Sequence, residues 1–313
     1  MFDFNGNNVS DANETTESVN VPTTNILDQQ MPHHSRSEKY LVIPTREVLD
    51  VFQELGFNYD EDSLWVTKSR KNSRKGKGKH MITLRHPDLQ LDPALRNELI
   101  PQMYLWNSYD GSLRLKLAIG LFRGACLNTM VFGSQIVEPI LFKHIAGMNN
   151  KDFRKKELMD SIKTVAEKFK EASAYVLNLK DVTMTRDQKI AFARRMVEIR
   201  LLGTTNPEVT LESKGITITN SMLENSILAP HREEDMGDSA WLVANVVQEN
   251  LLSLTNYSAF TYVKTSVNKK NETVRKERKA RQLKNRVRMD ELNISLFQVL
   301  NEVICEVPAQ VAA

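Results

Sequence analysis

The reading of this chain turns on residues 101–133, PQMYLWNSYDGSLRLKLAIGLFRGACLNTMVFG. A polar run, Asn107-Ser108-Tyr109-Asp110-Gly111-Ser112, separates two apolar stretches. After it, Leu113, Leu115, Leu117, Ile119 and Leu121 recur at every second position, with Arg114 and Lys116 on the alternate face. Period two is the mark of a strand with one buried side. Asp-Gly suits a tight turn, because glycine accepts a positive φ. A second apolar run, Cys126 to Phe132, follows Arg123-Gly124. The stretch predicts a sheet folded about a polar corner.

Working outward toward the N-terminus, Tyr40 to Ile43 opens the ordered chain and Pro44 ends that segment. Thr45 is placed to cap a short helix with Val48, Leu49 and Phe52 on one face and Gly56 at its end. Leu64-Trp65-Val66 and Met81 to Arg85 read as strands on either side of a basic loop, KSRKNSRKGKGKH. Residues 1–37 form an acidic, polar tail expected to be disordered.

Toward the C-terminus, Leu158, Ile162, Val165, Phe169, Ala172 and Val176 recur at helical spacing and predict a helix over 151–178. A second helix is expected over 186–202. A third is capped by Asp238 or Ser239, with Trp241, Ala244, Val247 and Leu251 on one side. Residues 271–288 read as a very basic helix and Asp290 to Val303 as the last one, before a frayed tail at 306–313. The fold class expected is α+β: an antiparallel sheet in the N-terminal half packed with a mainly helical C-terminal half. One domain is expected over 38–305, sheet-rich over 40–133 and helix-rich over 150–305.

Charge is unevenly placed on a chain of 313 residues whose net charge is only +3. Residues 68–80 hold seven basic residues and no acid, and 264–288 hold eleven against Glu272 and Glu277. Local patches steer partners more than the total does, and the partner they imply is a polyanion. The plain alternative is a solvated surface. Two cysteines make no disulfide framework and fit a reducing compartment. No run of eighteen apolar residues and no leader stands out, so a cytoplasmic protein is expected.

The candidate nucleic-acid contacts are Lys68, Arg70, Lys71, Arg74, Lys75, Lys77 and Lys79 in the loop, Arg114 and Lys116 beside the turn, and Arg275, Lys276, Arg278, Lys279 and Arg281 in the second tract. Phosphate contacts of this kind carry no sequence information. Tyr104, Trp106 and Tyr109 are candidates to stack on bases, or else to cover the sheet. The glycines of RKGKGKH do not make a nucleotide-binding loop, since no GK[ST] ending and no following helix are present. No metal and no cofactor are expected: His231 beside Glu233-Glu234-Asp235 reads as surface, and Asp88, Asp92, Glu98 and Asp110 match no carboxylate motif.

The central stretch resembles a family of uncharacterised phage and plasmid proteins whose hallmark is an NSHDGS-like turn, an alternating strand and then Arg-Val-Val-Cys-x-Asn-Thr. Asn107, Ser108, Asp110, Gly111 and Ser112 match the turn, with Tyr109 where the family more often has His. Arg123, Cys126, Asn128 and Thr129 match the second part, with Gly124-Ala125 in place of the valines. A weaker echo lies at Trp241, Ala244 and Asn245. The resemblance implies a mobile-element origin and no settled activity.

The leading functional expectation is a nucleic-acid-binding protein, for single-stranded DNA binding or annealing in recombination or replication, and able to form homo-oligomers. The alternatives are a viral protein that binds and modulates a host protein, and a metal-dependent nuclease. The central turn has its own structural reading, because Asn107 and Asp110 suit bonds to the backbone of their own turn.

Overall fold

Two strands flank the polar run, as the period-two pattern requires. In the computed structural model, β4 (Leu99–Asn107) and β5 (Leu115–Arg123) are neighbours in an antiparallel sheet, joined through the motif. The structure describes residues 26–29, 40, 42–67, 77–87, 89, 91–124, 128–131, 139–142, 151–204, 206, 208–252, 260–281, 283 and 285–306. The chain divides into two compact units, Met1–Phe122 with Val131–Ser173, and Arg123–Met130 with Ala174–Ala313.

In the first unit, α1 (Thr45–Glu54) lays Val48, Leu49 and Phe52 into the core. Thr45 is not its cap. Pro44 holds that position, and the Thr45 hydroxyl is engaged elsewhere. Gly56 follows the helix at φ +87, and a Cβ there would meet the His86 ring at 2.7 Å. The sheet then builds from β1 (Asn58–Tyr59), β2 (Trp65–Val66) and β3 (His80–Arg85) to β4 and β5, while β6 (Asn128–Val131) falls chiefly in the second unit. Within the first unit strand order is β1-β3-β4-β5, with β2 also on β3 and β7 (Ile140–Phe142) on β5. Register is set by pairs such as Ile82 with Leu105 and Leu117 with Ile140.

Two expectations are corrected here. The alternation in β5 predicts one buried face, but Ala118 and Ile119 on successive positions are both buried, so both faces of the strand are covered there. The polar surroundings of Ile26 and Leu27 predict a loose tail, but both residues are buried, and Asp28 pairs with Arg46 at 3.0 Å. Two adjacent large aliphatic residues are enough to pin a polar segment to a core.

Helices α2 (Lys151–Asp181) and α3 (Arg186–Leu202) stand where the helical periodicity puts them. Thr185 and Gln188 close a capping box at the start of α3, satisfying two backbone donors, and Gly203 ends it at φ 73. In the second unit α3 packs against α5 (Arg286–Glu306), and α4 (Ala240–Leu252) packs against both. Their core includes Phe192, Val197, Trp241, Val247, Leu296 and Leu300. Among the described residues, no helix is long and apolar enough to cross a membrane.

The basic stretch 271–288 is not a helix. It forms β10 (Thr273–Lys279), a break, and the first turn of α5. β10 pairs antiparallel with β9 (Thr261–Val267), and β9 in turn with β8 (Ile216–Thr217). Lysine, arginine and glutamate are good helix formers, but intrinsic propensity amounts to only a few tenths of a kcal/mol per residue and yields readily to tertiary context. That preference is overridden by the β-branched run Thr261, Val263, Thr265 and Val267, which supplies a partner strand in register.

Candidate nucleic-acid interface

The central motif is a buried polar knot. Asn107 donates from Nδ2 to the Ile43 carbonyl at 2.9 Å and to Thr45 Oγ1 at 3.0 Å. Tyr109 donates its hydroxyl proton to Thr45 Oγ1 at 2.7 Å and accepts from the Thr45 amide at 3.0 Å. With both acceptor sites filled, the Thr45 hydroxyl donates to His80 Nε2 at 2.7 Å. That leaves the other ring nitrogen, Nδ1, to donate to the Gly78 carbonyl at 3.1 Å. Burial of the ring pushes the His80 pKa down to about 4, so His80 is neutral. Burial likewise pushes the Tyr109 phenol up to about 12.

The rest of the motif closes the turn. Ser108 Oγ donates to the Leu113 carbonyl and accepts from the Leu113 amide, both at 2.9 Å. The Asp110 carboxylate accepts from the Ser112 amide at 3.0 Å, and Gly111 sits at φ 67. Every one of these bonds satisfies the protein itself. Tyr104, Trp106 and Tyr109 are all buried, so none is available to stack on a base. Of the two roles the sequence leaves open for these rings, stacking on bases or covering the sheet, burial fits the second. In a sheet covered on both faces, an aromatic ring has more to gain inside.

Arg123 is buried as well. Its guanidinium bonds Asp235, which also pairs with Arg232 at 2.8 Å, and Arg232 makes a two-pronged contact with Glu249 at 2.6 and 2.9 Å. The two guanidiniums balance the two carboxylates formally, as buried charge requires. Bonding to Glu249 above all holds the Arg232 pKa above its ordinary value. Asp235 thus belongs to this tetrad, while His231 bonds Asn250 at 2.7 Å. Among the described residues, no group of His, Cys, Asp and Glu is arranged to hold a metal ion. Asn128 opens β6.

The loop cations Lys68, Arg70, Lys71, Arg74 and Lys75 lie outside the described residues. Lys77 and Lys79 are half-buried, and their carbonyls accept from the Tyr109 and Thr67 amides. Arg114 is exposed and Lys116 half-buried.

The second tract is different in kind. Arg275, Lys276, Arg278 and Lys279 are all exposed on β10, and Arg281 follows it. Cross-strand register puts Lys276 directly opposite Lys264, and Arg278 opposite Tyr262. Side chains alternate between faces. Lys264, Lys276 and Arg278 therefore share one face, and Arg275, Glu277 and Lys279 the other. The tip, Asn268 to Glu272, is tied by the Asn268 side chain, which accepts from the Lys270 and Glu272 amides and donates to the Glu272 carboxylate. Asn271 takes φ 60, which asparagine tolerates better than most residues. Lys269 and Lys270 are exposed there.

The bonding of its arginines separates this ribbon from the rest of its unit. Every described arginine of the second unit outside the ribbon reaches an acceptor. Among the described residues, the side chains of Lys264, Arg275, Lys276, Arg278, Lys279 and Arg281 reach none. Like charges directly opposite each other, as at Lys264 and Lys276, cost a few tenths to about 1 kcal/mol. Sequence reasoning finds the β10 cations but not Lys264, Lys269, Lys270 or Tyr262 as their companions. The signal lies in the β-branched alternation of 261–267 and the Asn-rich turn after it.

Residues 32–291 match the family model described as Domain of unknown function (DUF932). Two Escherichia coli (strain K12) proteins, UPF0380 protein YafZ and UPF0380 protein YfjQ, are each 26% identical over 220 residues, covering 70% of this chain and 70% of their own. No solved structure matches the chain.

Proposed function

The chain belongs to the DUF932 family, and from the geometry of its second unit we propose that it binds nucleic acid through the β9–β10 ribbon. The observation that carries this is the unpaired charge. The second unit bonds its other described arginines to acceptors of its own, yet its ribbon presents cations whose side chains reach no internal acceptor, two of them, half-buried Lys264 and exposed Lys276, set face to face at a cost. A polyanion relieves that repulsion and pairs with those cations at once. Charged side chains also guard sheet edges against pairing, and β10 is an edge strand. Lysine is the usual guard, whereas three of the cations here, Arg275, Arg278 and Arg281, are arginines. From Thr273 to Arg281 the only acid is Glu277, against five cations.

Cations of this kind pair with phosphates, so affinity depends on salt more than on sequence. The test is fluorescence anisotropy of the full chain with labelled DNA and RNA across a salt series. Wild type binds with a steep salt dependence. Lys276→Ala with Arg278→Ala weakens binding to unrelated sequences alike. For each phosphate no longer neutralised, the log–log slope falls by about 0.9 on a duplex, or by about 0.7 on a single strand. Absence of salt-dependent binding to any nucleic acid would sink the proposal and leave a protein partner as the reading of the ribbon.

A further inference from the structure

We infer that the ligand of the ribbon is B-form double-stranded DNA, with the arm lying in the major groove between the two phosphate backbones. The inference rests on the proposal that the ribbon binds nucleic acid, and names which one. A surface that tracks one strand needs its cations on one side. This ribbon carries them on both: Lys264, Lys276 and Arg278 on one face, Arg275 and Lys279 on the other, with Lys269 and Lys270 at the tip. An object charged on both faces and at its end suits a slot with a phosphate wall on each side.

The dimensions agree. Face to face with its side chains a sheet layer is about 10 Å thick, against a major groove about 12 Å wide and a minor groove about 6 Å wide. The arm is two-stranded where it is most exposed. β8 pairs only with Val263 and Lys264, while Ser266, Val267 and Thr273 lie beyond it toward the tip and are exposed.

Two other ligands fit worse. Single strands are gripped by stacking bases on aromatic rings. Among the residues whose side chains are described, no aromatic ring is fully exposed, and Tyr262 on the ribbon is half-buried with its ring near Phe260. Duplex RNA has a major groove too deep and narrow for side chains to enter.

Glu277 stands between Arg275 and Lys279 on its face, and its charge opposes the same phosphates. This gives the inference a test in the direction of gain. Anisotropy of the full-length protein is measured at one salt concentration with four probes: a mixed-sequence DNA duplex, one of its strands, the matching RNA duplex, and the DNA duplex occupied by a major-groove dye. The DNA duplex binds severalfold more tightly than the other three. Glu277→Gln strengthens duplex binding, and the pairs Arg275→Ala/Lys279→Ala and Lys276→Ala/Arg278→Ala each weaken it, since each face meets its own backbone. Circular dichroism of each variant matches wild type, because these side chains support no core. Equal or tighter binding to the single strand or the RNA duplex overturns the inference and leaves nucleic-acid binding intact. So does weakening by only one of the two pairs, or indifference to the groove dye. Binding to none of the probes removes the proposed function, and this inference with it.

Discussion

Lowering the pH should unfold the first unit through His80. The ring is fully buried, its Nε2 takes the Thr45 proton and its Nδ1 proton goes to the Gly78 carbonyl, so the native site has no place for a second proton. Burial holds the native pKa at about 4, against an ordinary value of 6.5. Between those values the unfolded chain binds the proton and the native one does not. Stability is therefore complete above about pH 6.5 and falls as pH falls, by about 1.4 kcal/mol per pH unit, or roughly 3 kcal/mol across the window. Urea denaturation at several pH values, followed by the fluorescence of Trp65 and Trp106, reads this directly. Their rings lie 5.7 Å apart in the same sheet. Other acids titrate too, so the comparison that decides is wild type against His80→Gln. The variant should be less stable at neutral pH and lose less on acidification. A second measurement covers a variant that folds poorly: the His80 ring resonances of wild type should stay those of the neutral form down to about pH 5. Equal pH slopes for the two proteins, or a ring titration near 6.5, would refute the reasoning.

Three further substitutions separate support from function. Asp110→Ala removes the acceptor of the Ser112 amide in an exposed turn and should cost about 1 kcal/mol, seen as a lower melting temperature with the DNA binding proposed for the ribbon unchanged. Arg123→Ala leaves Asp235 buried without one of its guanidiniums and should cost roughly 3–5 kcal/mol by chemical denaturation. Gly215→Ala places a Cβ 2.5 Å from the Thr265 carbonyl oxygen at a φ of +65. It should cost more than about 1 kcal/mol and loosen β8 from the ribbon, raising amide exchange along β9.

Much of the fold follows from local pattern. The alternation at Leu115 to Leu121 and the spacing at Phe169, Ala172 and Val176 are periodicities that a single stretch contains, and both elements stand where those periods put them. The capping box of α3 lies within four consecutive residues, Thr185 to Gln188. The candidate site is legible in part, since the β10 cations are visible as a run of charge. Their arrangement is not, because charge runs have no period strong enough to choose helix or strand. A strand exists only with its partner, and the partner here lies across the Asn268–Glu272 turn.

The sequence by itself determined where each strongly periodic element lies, where charge accumulates, and which polar turn links the two central strands. Only the tertiary structure decided what those polar groups do. Tyr109 and His80 are 29 positions apart and Thr45 is 64 from Tyr109, yet their bonds to one another turn a motif that reads like a site into a closed, buried support. Arg123 meets Asp235 across 112 positions and is neutralised, while Lys276 meets Lys264 and is not. Hydrogen bonds and ion pairs depend on distance in space to within about an ångström. Composition and local spacing do not contain that distance, so which cations were paired inside the fold and which were left without an internal acceptor was fixed only when the chain folded.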